Sequence, residues 1–79
     1  MPLVLLVKGY RLLFYALDRP EPSHVHVRNE RRHAKFWLTP NVELAKNRGF
    51  RPHELNEIEK IVREHRRFIL EQWHAFFGA

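Results

Sequence analysis

From Pro52 to Phe77 the chain carries no glycine and no further proline, and its apolar residues return at helical spacing. At about 100° per residue, Leu55, Ile58, Val62, His65, Ile69, Trp73 and Phe76 fall on one stripe, which Ile61 and Phe68 widen. Proline suits the first helical position, and Glu54 and Glu57 suit the positive end of the helix dipole. The spacing predicts one long C-terminal helix. An apolar stripe of this length needs a surface to cover, and only the residues before it can supply one. The opposite side gathers Asn56, Lys60, Arg63, Arg67 and His74 into a basic ridge. A helix of about 25 residues is roughly 37 Å long at 1.5 Å per residue, longer than a domain this small requires. Its end is therefore expected to overhang, with Trp73, Phe76 and Phe77 free to form a homodimer contact.

The preceding residues read as strands. Leu3 to Val7 and Tyr10 to Leu17 are apolar and aromatic, and the Lys8-Gly9 pair between them has hairpin length. Asp18 to Ser23 contains Pro20 and Pro22, which remove amide donors and end the pattern, so a surface loop is expected there. From His24 the period becomes two: Val25 and Val27 face one way, His24 and His26 the other. Arg28 to Arg32 is polar enough to include a hairpin turn. In the next run Ala34, Phe36 and Leu38 point with the valines, and His33, Lys35 and Trp37 with the histidines. Thr39-Pro40-Asn41 breaks the chain again, and Val42 to Lys46 is read as a short edge strand rather than a helical turn. The fold class predicted is α+β: an antiparallel sheet of four to five strands packed against the C-terminal helix, with residues 1–79 forming a single domain.

A chain of 79 residues has room for one core. It has no cysteine, which excludes a disulfide framework and a thiolate zinc site and fits a reducing compartment, so a cytoplasmic location is expected. The apolar run Leu3 to Val7 is interrupted at Lys8, far short of the roughly 20 residues that span a bilayer, and no membrane association is expected. Fourteen Lys+Arg against 9 Asp+Glu give a net charge of +5, a balance that favours RNA, DNA or an acidic protein as partner.

The alternation exposes His24, His26, His33, Lys35 and Trp37 together, and three chemistries are open to that face. The first is recognition: His24, His26, Arg28, Arg31, Arg32, Lys35 and Trp37, with Lys60, Arg63 and Arg67 on the helix, offer phosphate contacts and a stacking ring. The second is metal-independent RNA cleavage, in which His24, His26 and His33 exchange protons and Lys35 stabilises the phosphorane. The third is a metal site on His24 and His26. Two imidazoles need a third and usually a fourth ligand, for which Asp18, Glu21 and His33 are candidates. The reading adopted is recognition, with no metal or other cofactor; if a metal were bound, Asp18, His24 and His26 would hold it. His65, inside the apolar stripe, reads as a core histidine, and His53 and His74 as surface residues.

The segments "GYRLLFYALDRPEPSHVHV", "AKFWLTPNVELAKNRGF" and "HELNEIEKIVREH", followed by "EQWHAFF", resemble a family of small bacterial proteins known as domain of unknown function 4160. The match in order of Gly9-Tyr10, Asp18, Pro22, His24-Val25-His26-Val27, Phe36-Trp37-Leu38, Gly49-Phe50, Glu54-Leu55 and Trp73-His74 carries the resemblance. It implies a strand-rich domain closed by a C-terminal helix. It also implies a protein partner encoded nearby, in an arrangement similar to toxin–antitoxin pairs. Relatives commonly carry His and Pro where this chain has Arg19 and Ser23, so any role of that extra histidine is absent here or met by another residue.

Overall fold

Lys8 and Gly9 both take positive φ, 52° and 82°, the mirror-image turn whose twist matches that of two antiparallel strands. It joins β1 (Leu3–Val7) to β2 (Tyr10–Leu13) in the computed structural model, which describes residues 3–78. After β2 the chain leaves the sheet for a 3-10 helix (Ala16–Asp18), then returns as β3 (His24–Asn29), β4 (Arg32–Trp37) and β5 (Glu43–Arg48). The strands form one five-stranded antiparallel sheet in the order β1-β2-β3-β4-β5. The edge strand expected at Val42 to Lys46 is therefore present, from Glu43 to Arg48. The strand expected over Tyr10 to Leu17 ends at Leu13, because the chain turns there to carry Asp18 beneath β3.

The alternation sorts the sheet into two faces as the sequence requires. Leu12 pairs with Val27, Val27 with Ala34, and Val25 with Phe36, so these side chains share the inner face with Tyr10 and Phe14. Against them pack Ile58, Ile61, Val62, Ile69 and Trp73.

The helical segment is two helices, not one: α1 (Pro52–Glu64) and α2 (Arg66–Phe77), separated at His65, whose φ of −107° and ψ of 12° lie outside helical geometry. No proline or glycine marks the break. What coincides with it is a tertiary anchor: the Arg66 guanidinium donates to the carbonyls of Leu38, at 2.7 Å, and Pro40, at 3.4 Å. The bend lets α2 follow the sheet instead of overhanging it. Trp73 and Phe77 are consequently buried, with the Phe14 ring 5.3 Å and 6.0 Å away. Of the three rings expected to be free for a partner, only Phe76 is exposed, together with Phe68. No helix among the described residues is long and apolar enough to cross a membrane.

The start of α1 is fixed by charge. Glu54 accepts the Arg51 amide at 2.9 Å and the Arg32 guanidinium at 2.7 Å. The Arg51 amide, with Arg32 beside it, holds the Glu54 carboxyl below its usual range despite some opposing desolvation. A carboxyl depressed on folding stabilises the fold above its unfolded pKa, and that contribution disappears as pH falls through the folded value. Thermal melts from pH 7 downward should therefore show a steeper loss of Tm below about pH 4.3 for the wild type than for Glu54→Gln. Parallel curves would remove Glu54 from the acid response.

Candidate functional site

The proline loop and the end of β2 meet under the start of β3, and the meeting point is polar. Asp18 closes the 3-10 helix, and its Oδ2 accepts the Tyr15 amide at 2.8 Å. Its Oδ1 lies 3.1 Å from His24 Nε2 and 3.1 Å from His26 Nε2. His24 is 0% exposed, and Asp18 and His26 are 8% exposed each. The sequence placed both imidazoles on an open or half-open face; in the folded chain the 3-10 helix and its flanking loop cover them, and the face becomes a second, small polar core.

Aromatic rings complete the enclosure. Trp37 and Trp73 stand 5.6 Å and 5.1 Å from the His24 ring, and the edge of Tyr15 meets His26 at 4.5 Å. The Tyr15 hydroxyl in turn accepts from Arg28 at 2.9 Å. His24 Nδ1 donates to the Pro22 carbonyl at 2.8 Å, so the rigid turn orients the ring. His26 Nδ1 shares a hydrogen with His33 Nε2 at 2.9 Å, which links the buried pair to a half-buried imidazole on β4. Lys35 pairs with Glu21 and lies 4.6 Å above the Trp37 ring.

The electrostatics follow from this enclosure. Burial works to raise the Asp18 pKa, but the Tyr15 amide, the His26 hydrogen bond and the neighbouring His24 imidazole outweigh it and hold the carboxyl below its usual value. For His26 burial wins over the favourable Asp18 contact, and its pKa falls. His33 is also pushed down, by burial first and then by the positive field of His26, Arg28, Lys46 and Arg48. Asp18 is thus a buried anion between imidazole nitrogens.

This arrangement bears unequally on the chemistries that the sequence left open. Two of the three imidazoles assigned to RNA cleavage are enclosed, His24 bonded to the Pro22 carbonyl and His26 to Asp18 and His33. They do not present two open imidazoles to one phosphate, the arrangement that proton exchange on a phosphodiester uses. Among the residues assigned to recognition, Arg28, His33, Lys35 and Trp37 share the outer sheet face. Arg31 is exposed in the β3–β4 turn, whereas Arg32 is bound to Glu54 and Asn29. Lys60, Arg63 and Arg67 lie on the helix layer, where Arg63 bonds Glu59 and the Val42 carbonyl and Arg67 faces Glu71.

Cross-strand register adds residues that the linear pattern did not single out. Arg11 pairs with Arg28, Arg28 with His33, and His33 with Arg48, forming one row across β2 to β5. Lys35 pairs with Lys46 in the row beside it. The signal for Lys46 and Arg48 was their spacing of two within β5; that for Arg11 needed the register of the first hairpin. Because Asp18 holds two buried rings, Asp18→Ala should cost about 1–3 kcal/mol in urea unfolding, and clearly more than His33→Ala, which removes a single part-buried bond. The reverse order would show that the carboxylate does not organise the cluster.

Nothing among curated proteins or solved structures matches the chain. The family model described as "Domain of unknown function (DUF4160)" matches residues 9–74, a span that includes Asp18, His24, His26 and the basic row from Arg11 to Arg48. The chain belongs to the DUF4160 family.

Proposed function

We propose that this protein is a small binding module whose outer sheet face takes single-stranded nucleic acid, RNA in the first instance. The observation that carries the reading is the row Arg11–Arg28–His33–Arg48, with Lys46 adjoining. Like charges placed directly opposite on neighbouring strands repel, on a scale of tenths of a kcal/mol to about 1 kcal/mol per pair. Arg11, Arg28, Lys46 and Arg48 have no carboxylate within ion-pair distance among the described residues. An anion laid along the row would relieve that repulsion. Three strand spacings of about 4.8 Å give the row a length of roughly 14 Å, enough for several phosphates.

The same face offers an apolar floor. A groove of about 250 Å³ is lined by Leu3, Leu13, Arg11 and Arg28, so a pair of leucines sits beside a pair of arginines. A base could rest there while its phosphates meet the arginines, the combination that sequence-tolerant single-strand binding uses. A second reading concerns α2, where Phe76 and Phe68 remain 44% and 41% exposed. They support a protein contact there, either a second copy of this chain or the partner that a toxin–antitoxin-like pair would supply.

Fluorescence anisotropy with a labelled single-stranded RNA tests the first reading. Four phosphate contacts predict a slope of log affinity against log salt near about −3, since single strands give about −0.7 per neutralised phosphate. Arg28→Glu with Arg48→Glu should weaken binding at least about 100-fold at low salt, whereas Lys60→Glu with Arg67→Glu on the helix layer should change it less than about 3-fold. Equal losses from both pairs, or no binding by the wild type, would sink the proposal. For α2, sedimentation velocity should show a concentration-dependent dimer that Phe76→Glu abolishes; a monomer at all concentrations would leave only a different partner chain for that surface.

A further inference from the structure

His24 poses a problem that its neighbours do not solve. Its Nδ1 is 2.8 Å from the Pro22 carbonyl, which can only accept, so Nδ1 carries the hydrogen. With the hydrogen on Nδ1, the Nε2 lone pair is left inside the protein, with Asp18 Oδ1 3.1 Å away. Two electron-rich atoms would then lie at hydrogen-bond distance. A hydrogen on Nε2 does not resolve this, because its direction misses Oδ1, and Nε2 has no hydrogen-bond partner although the side chain is fully buried. A buried polar atom left in this state costs free energy unless something positive accepts its lone pair.

The surroundings fit a cation. Asp18, His24 and His26 each offer one donor atom, and these atoms lie within 4.8 Å of one another. A metal with bonds of about 2.1 Å to nitrogen and oxygen places ligands roughly 3.4 Å apart at the tetrahedral angle and roughly 3.0 Å apart at right angles. The separation of 3.1 Å from Asp18 Oδ1 to each histidine Nε2 falls between those figures. Ligating histidines also hold their second nitrogen with an acceptor. His24 has the Pro22 carbonyl, and His26 has His33 Nε2 at 2.9 Å. The other carboxylate oxygen of Asp18 is fixed by the Tyr15 amide.

We propose that Asp18 Oδ1, His24 Nε2 and His26 Nε2 form a site for one divalent transition ion, with His33 as the positioning residue that orients His26. Two imidazole nitrogens and one carboxylate oxygen suit zinc, cobalt, nickel or ferrous iron; calcium and magnesium prefer all-oxygen shells, and no thiolate is present to select a softer ion. Three protein donors leave a position for water. This site is independent of the nucleic-acid reading, since none of its three ligands belongs to the basic row.

The test begins with EDTA-treated, ¹⁵N-labelled wild-type protein titrated with zinc and, separately, with cobalt. The expected result is one ion per chain, a rise in Tm, and shifts of the His24 and His26 ring nitrogens while those of His53, His65 and His74 stay in place. His24→Gln and Asp18→Asn should each lower zinc affinity more than about 100-fold. His33→Ala should lower it about 10–100-fold, the range for loss of an outer hydrogen bond, and His33→Gln, which restores an acceptor near the position of Nε2, should recover most of it. If the buried-ligand variants do not fold, the wild-type ring shifts decide. No binding by the wild type, or binding that shifts His53, His65 or His74 instead, overturns the site; a His33→Gln variant no better than His33→Ala overturns the positioning role.

Discussion

The Asp18 carboxylate is the contact on which the rest of the arrangement depends. It is a buried anion held by the Tyr15 amide on one oxygen and by the His26 imidazole on the other, with His24 Nε2 also 3.1 Å away. Burying a charge is costly unless hydrogen bonds and opposite partial charges surround it, and the groups that do so here come from two segments, one on each side of the proline loop. Tyr15 follows β2, Pro22 ends the proline loop, and His24 and His26 open β3. The carboxylate thus ties the end of the first hairpin to the start of the second, and its 3-10 helix covers a sheet face that would otherwise be open. Polar satisfaction does for this face what apolar packing does for the other.

That cluster and the basic row are neighbours with different tasks. The row lies on the exposed part of the outer face, and the cluster lies under the covered part. His33 belongs to both: its Nε2 meets His26, and its ring sits between Arg28 and Arg48 in the cross-strand row. Anything bound along the row therefore touches a side chain that orients a buried imidazole. Tyr15 makes a similar bridge, since its ring packs on His26 and its hydroxyl receives Arg28.

The helical layer was legible in outline but not in shape. The stripe of Ile58, Val62, Ile69 and Trp73 does face the sheet, because a 3.6-residue period leaves an apolar surface with no other place to go. The break at His65 has no local cause in the sequence. It coincides with Arg66 bonding the carbonyls of Leu38 and Pro40, residues far away along the chain. That same bend turned Trp73 and Phe77 inward and made Trp73 a wall of the His24 pocket.

Local chemistry determined the strands, the Lys8-Gly9 turn, the inward valines and the shared face of His24, His26, His33, Lys35 and Trp37, because each depends only on spacing and backbone preference. Whether that face was open was a tertiary matter. Alternation says which side chains point together; it does not say what lies over them. Only the folded chain put Asp18 and its helical turn above the two histidines, and only cross-strand register put Arg11, Arg28 and Arg48 in one row. Both depend on residues distant in sequence being brought within a few ångströms, and no pattern read along the chain contains that distance.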